Sequence, residues 1–112
     1  MPARAREVRW APVARTDLIA LLDWIASDAP QTAAKVRDRI LAAVERLSRF
    51  PHLGRGIPEF RLYGRSPVRE IVVFPWRIFH QCRGNTVEIL AVIDGRRNVE
   101  DLLLRRLSRR EP

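Results

Sequence analysis

The stretch VREIVVFPWRIFHQCRGNTVEILAVI, residues 68–93, decides the fold. It contains three runs rich in β-branched and aromatic residues: VREIVVF (68–74), WRIFHQC (76–82) and TVEILAVI (86–93). Such side chains suit a pleated, half-buried surface. The RGN between the last two runs is a hairpin signal. The reading is a three-stranded antiparallel meander. In the middle run, period-two alternation puts Trp76, Ile78, His80 and Cys82 on one face and Arg77, Phe79 and Gln81 on the other. The face bearing Arg77 is the candidate functional one.

Working back from the sheet, FPHLGRGIPEF (50–60) is a loop built from special residues. Pro51 stops a helix, Gly54 and Gly56 permit positive φ, and Pro58 stiffens the path into the first strand. Arg55 is held on that restricted loop. Before it, Val36, Ile40, Val44, Leu47 and Phe50 recur along one side of a helix predicted to stop near Pro51, with Glu45 and Arg49 spaced for an i,i+4 pair. An earlier helix begins at Pro12 and places Leu18, Leu21, Leu22 and Ile25 on one stripe, leaving Arg15, Asp17 and Asp23 for solvent. The connection SDAPQ is short, so the two helices form an antiparallel hairpin. Asp28 is its expected cap, with Gln31 completing a capping box. EVRWA (7–11) reads as a strand with Val8 and Trp10 on one face.

At the other end, Asn98 is a cap-like residue and Val99, Leu103 and Leu107 form a stripe, giving a short helix over 98–109. The expected architecture is α+β: an N-terminal strand, a helical hairpin on one face of a small, mainly antiparallel sheet, and a C-terminal helix. At 112 residues with 46% hydrophobic content, the chain fits one domain with its core in 7–97.

The formal charge of +8 attracts polyanions: nucleic acid, an acidic protein or an anionic surface. Lys35 is the only lysine, and so strong an arginine bias also arises from base composition alone. Arginine binds carboxylate and phosphate as a planar fork but does not carry protons near neutral pH. The lone Cys82 excludes an intramolecular disulfide framework, and no Cys/His spacing suggests zinc, so no metal or cofactor is expected. The N-terminus has no apolar signal region and no run spans a bilayer, which makes a cytoplasmic protein without membrane partners the expectation.

The order of these elements, with FPHLGR, IPEF, VREIVV, WRIFHQ and VEILAVIDGRRNVEDLL following one another, resembles the RelE/ParE superfamily of bacterial type II toxins over residues 7 to about 103. His80 stands where relatives commonly carry tyrosine, and Asp94 where histidine is common. The resemblance implies growth inhibition, a cognate antitoxin and a toxin–antitoxin hetero-oligomer. A ParE-like member would bind DNA gyrase and need no active-site base. A RelE-like member would cut mRNA on the ribosome, with Arg55, Arg69, Arg77 and Arg96 around the RNA backbone and His80 moving the proton. The lysines and late tyrosine of well-studied nucleases of that kind have no counterpart: no lysine follows Lys35, and Tyr63 precedes the strands. A toxin fold that has lost toxicity and binds only its antitoxin is a third reading.

The ParE-like reading is preferred, with no catalytic residues. It places target binding on Arg55, Arg61, Arg69, Arg77, Arg96 and Arg97. Antitoxin binding falls on Val99, Leu103 and Leu107, beside Arg105, Arg106, Arg109 and Arg110 that complement an acidic tail. Each residue also has a plainer reading: His80 as a core histidine, Asp94 as a turn residue pairing with it or not, and the C-terminal stripe as packing on the chain's own sheet.

Overall fold

The computed structural model describes residues 5–63 and 66–109; the side chains of 61–63 and 107–109 fall outside that description. Strand β1 (Glu7–Trp10) leads into α1 (Pro12–Ala26) and α2 (Pro30–Arg46). The chain continues through the two-residue β2 (Arg55–Gly56) and a 3₁₀ helix (Pro58–Tyr63). It then runs through β3 (Arg69–Val73), β4 (Trp76–Arg83) and β5 (Thr86–Asp94) to α3 (Val99–Arg109). The five strands form one sheet in the order β1-β5-β4-β3-β2. The expected meander is its centre, all antiparallel, and β1 joins β5 in parallel. The loop before β3 holds two elements that its Gly/Pro content concealed, β2 and the 3₁₀ helix.

The helical hairpin covers one face of the sheet. Ala14 of α1 and Val36, Ile40, Val44 and Leu47 of α2 meet Ile71, Val73, Ile78, Val87, Ile89 and Val92 in one core. Burying each of the larger aliphatic side chains there contributes about 1.5–3 kcal/mol. The opposite face carries a second core: Phe79, Ala91 and Ile93 are covered by Ile57 and by Val99 and Leu103 of α3. Both cores are possible because β5 bulges. Phe79 pairs with Ala91 and His80 with Ile89, so Leu90 is an extra residue and joins the second core.

Several local expectations change. Asp28 does not cap α2; Ala29 is the cap residue, without a side-chain hydrogen bond, and Pro30 supplies the start. Helix α2 ends at Arg46, ahead of Pro51, so Glu45 and Arg49 do not share a helical face, and Phe50 points out, 57% exposed. Asn98 does cap α3, its Oδ1 accepting the Asp101 N–H at 3.0 Å. Of the two loop glycines only Gly54 has positive φ, at 93°. A Cβ there would run into the Glu70 carbonyl, whereas one at Gly56 would meet nothing. The hairpin of β4 and β5 turns at Gly84, φ 55°.

Candidate recognition surface

Strand alternation sends Ile71 and Val73 towards the helices and therefore Glu70 towards Arg77 on the other face. Glu70 is fully buried. A buried carboxylate has to be paired, and here two arginines do so. Arg77 donates Nε–H to Glu70 Oε1 at 2.7 Å, and Arg55 donates Nε–H to Oε2 at 2.7 Å. Arg77 also forms a bidentate pair with Glu59 of the 3₁₀ helix, Nη1 to Oε2 and Nη2 to Oε1, both 2.7 Å. Its guanidinium lies 5.5 Å from the Phe79 ring centroid.

This four-residue chain balances two positive against two negative charges. The Arg77 fork beside Glu59 holds that carboxyl below its ordinary range, against the opposing effect of burial. Arg77 is itself held more firmly protonated, chiefly by Glu59. Arg77, expected on a target-binding face, is thus 9% exposed and committed to two internal carboxylates. Arg55 keeps an exposed guanidinium while clamping Glu70.

His80 pairs with Arg69 across β3 and with Ile89 across β5. Its side chain is fully buried, and neither ring nitrogen makes a hydrogen bond. Burial pushes its pKa down to about 4, assisted by the positive charge of Arg69 and by His52 and opposed by the nearby Leu53 carbonyl. The ring is therefore neutral at pH 7. Arg69 reaches the Gly54 carbonyl through Nη2 at 2.6 Å. A His80–Asp94 pair is not formed, because the register places Asp94 opposite Trp76, four residues along β4 from His80 and roughly 13 Å away.

Asp94 is the last residue of β5 and holds the turn that follows it. It accepts the Arg96 backbone N–H at 2.9 Å and pairs with the Arg96 guanidinium at 2.8–3.0 Å. These contacts hold its carboxyl below the usual range. Arg97 is exposed and has no ion-pair partner among the described residues. Both arginines line a groove of about 320 Å³, together with Leu21 and Ile25 of α1 and Trp76 of β4. Trp24 also lines this groove and is 77% exposed.

Helix α3 flanks the groove and is fixed by Arg106, which forms a bidentate pair with Asp17 of α1. Asp17 also accepts the Val92 N–H at 2.9 Å, so this residue, expected to face solvent, ties α1, β5 and α3 together. Val99 and Leu103 are 3% and 7% exposed and belong to the second core, where the plainer reading of the C-terminal stripe had placed them. The Arg61, Leu107 and Arg109 side chains, and Arg110, lie outside the described residues.

Sequence reasoning missed the roles of Glu59, Glu70 and Asp17. Glu70 was legible from the parity of β3, which aims it at the Arg77 face. Asp17 stands four residues before Leu21, on the same side of α1.

A parallel strand, a helical hairpin and a meander covered by a C-terminal helix define the architecture shared by the ParE and RelE toxins. A solved structure of the chromosomal ParDE TA system from P. aeruginosa superposes with a TM-score of 0.67 at 21% identity, covering 82% of this chain and 98% of that one. The toxin–antitoxin complex RelBE2 from Mycobacterium tuberculosis gives a TM-score of 0.54 at 23% identity, covering 80% and 91%. In sequence, the chain is 31% identical over 94 residues to Toxin ParE3 of Caulobacter vibrioides, which spans 84% of this chain and 90% of that protein. Residues 8–99 match the family described as the ParE toxin of the type II toxin–antitoxin system, parDE, and the chain belongs to that family.

Proposed function

We propose that the chain is the toxin of a type II toxin–antitoxin module, that it inhibits growth by binding DNA gyrase in the cytoplasm, and that a cognate antitoxin neutralises it in a hetero-oligomer. The observation that carries this reading is the pairing of Arg77 with both Glu59 and Glu70. A guanidinium held by two carboxylates is neutralised on the spot and stabilises no charge developing on a phosphate. The resemblance to ParE then supplies the alternative to cleavage, which is recognition.

In this reading the exposed arginines Arg55, Arg96 and Arg97, with Arg69, meet the target. The antitoxin docks on the Trp24 groove. An exposed tryptophan beside apolar side chains, in a groove that Arg96 and Arg97 also line, has the composition of a binding hot spot and suits a segment with an apolar anchor and acidic flanks. Inducing the chain without antitoxin, and following incorporation of labelled thymidine and labelled methionine, tests the proposal. DNA synthesis stops first if gyrase is the target. Arrest of protein synthesis first would instead support the RelE-like reading, which is favoured by His80 lying beside Arg69.

A further inference from the structure

Strand β3 is only partly covered along its outer edge. Strand β2 pairs with Arg69 and Glu70 and ends there, so among the described residues no strand lies beside Ile71, Val72 and Val73 on that side. Ile71 and Val73 turn inward to the helices and are buried, whereas Val72 faces the other way and is 52% exposed. Phe74 follows in the turn to β4 and is 74% exposed. Natural proteins blunt an open edge with charges or cover it. The open length from Ile71 to Phe74 holds no charged residue.

The tip that presents Phe74 is tied to the end of β5. Trp76 pairs with Asp94, and the Gly95 N–H donates to the Pro75 carbonyl at 2.7 Å. A Cβ at Gly95 would stand 2.9 Å from that oxygen and 3.0 Å from the Arg77 Cδ, so glycine permits the approach. The turn bearing Arg96 and Arg97 is thereby fixed beside the tip. A backbone ordered in advance lowers the entropic cost of binding. At the far end of the open edge, Arg55 keeps an exposed guanidinium while it clamps Glu70.

Val72 and Phe74 therefore lie between Arg55 and the Arg96–Arg97 turn, with roughly 13 Å of strand from Glu70 to Phe74. An apolar centre inside a charged rim is the anatomy of a protein–protein contact. Val72 offers a nucleic acid neither a charge nor a ring to stack on. The Trp24 groove is a separate surface, because its Trp76 and Val92 belong to the helix side of the sheet and Val72 faces the opposite side.

We infer that Val72 and Phe74 are the apolar anchors of the target-binding face, which takes an extended acidic segment of the target protein along the open edge of β3. Its apolar side chains rest on Val72 and Phe74, and its carboxylates meet Arg55 and Arg97. This rests on the reading of the chain as a toxin that works by recognition, and adds to it the point of contact.

The test compares the full-length wild type with Phe74→Ala, Val72→Thr and, as a control, Leu41→Ala at an exposed apolar position of α2. The readouts are growth arrest on induction, affinity for gyrase measured without DNA, affinity for the antitoxin, and melting temperature. Phe74→Ala should weaken gyrase binding about thirtyfold, the scale of one hot-spot residue, and Val72→Thr several-fold. Both should blunt growth arrest in that order, with melting temperature and antitoxin affinity unchanged and Leu41→Ala like the wild type. Full growth arrest by both variants would overturn the inference, as would an equal loss in Leu41→Ala. A loss that appears only when DNA is present would assign the edge to nucleic acid, and a parallel loss of antitoxin affinity would assign it to the antitoxin; either overturns the inference. A wild type that arrests growth without binding gyrase removes gyrase as the target, and growth arrest by the same variants then decides the inference alone. A wild type that arrests nothing overturns both.

Discussion

Asp17 and Arg106 stand 89 positions apart in the chain and are joined by two parallel hydrogen bonds, 2.7 and 2.8 Å long, at the point where α1, β5 and α3 meet. The same carboxylate holds the Val92 amide. The pair is 12% and 30% exposed, so solvent screens it only in part. Asp17→Ala removes both the pair and the cap on Val92, and the expected loss is about 1–3 kcal/mol. Hydrogen exchange checks the mechanism: the Val92 amide and the α3 amides should exchange faster together. Acceleration confined to α1 would contradict this coupling.

The Arg77 network makes a stronger demand. Arg77→Met leaves Glu70 buried with Arg55 alone and Glu59 without its fork. Breaking a buried ion pair from one side costs about 3–5 kcal/mol. Urea denaturation should show a loss of that order for Arg77→Met. The double variant Arg77→Met, Glu70→Leu should lose less than the sum of the two single losses, because no lone charge stays inside. Strict additivity would mean that Arg77 and Glu70 do not act as a unit.

His80 gives stability a dependence on pH. Its folded pKa of about 4 lies below the ordinary 6.5, so the unfolded chain binds the proton more readily than the native one. The resulting stabilisation is fully present above pH 6.5 and is lost as pH falls towards 4, by up to about 3 kcal/mol. The charged or titratable neighbours of the ring are Arg69 and His52. The depressed carboxyls of Glu59 and Asp94 act at lower pH, beneath their ordinary 4.5 and 3.8. Melting temperatures between pH 7 and pH 4.5 should fall in the wild type. In His80→Gln the slope should flatten, and persistence of the full slope would assign it elsewhere.

Trp24 separates binding from folding. At 77% exposure it contributes little to the core, so Trp24→Ala should leave stability within about 0.5 kcal/mol. If the groove seats the antitoxin, the same change should weaken antitoxin binding by about 2 kcal/mol or more, as expected for a central anchor. Calorimetry with the purified antitoxin measures this. Unchanged affinity would move the interface away from the groove.

The meander, the hairpin and the C-terminal helix were readable because periodicity reports which face of an element is buried. Val36, Ile40, Val44 and Leu47 announced α2, and the alternation from Trp76 to Gln81 announced the two faces of β4. What covers a face is a tertiary fact. Val99 and Leu103 form a stripe whether they meet an antitoxin or Phe79, and only the return of α3 across the second face decides between them. The arginines illustrate the same boundary. Arg77 and Arg97 are alike in sequence, yet one is matched by Glu59 and Glu70 from separate elements while the other meets solvent. The loop carrying Arg55 concealed β2 and the 3₁₀ helix because two strand residues and two 3₁₀ turns leave too short a pattern to detect.

The central claim is that this fold grips gyrase and does not cut RNA. The most direct measurement runs the same toxin preparation in two reactions: a gyrase supercoiling assay stopped with detergent and protease, and a translation extract in which mRNA ends are mapped. Recognition predicts linearised plasmid from trapped gyrase and uncut mRNA. Codon-positioned mRNA ends that disappear in His80→Ala, with supercoiling unaffected, would contradict it.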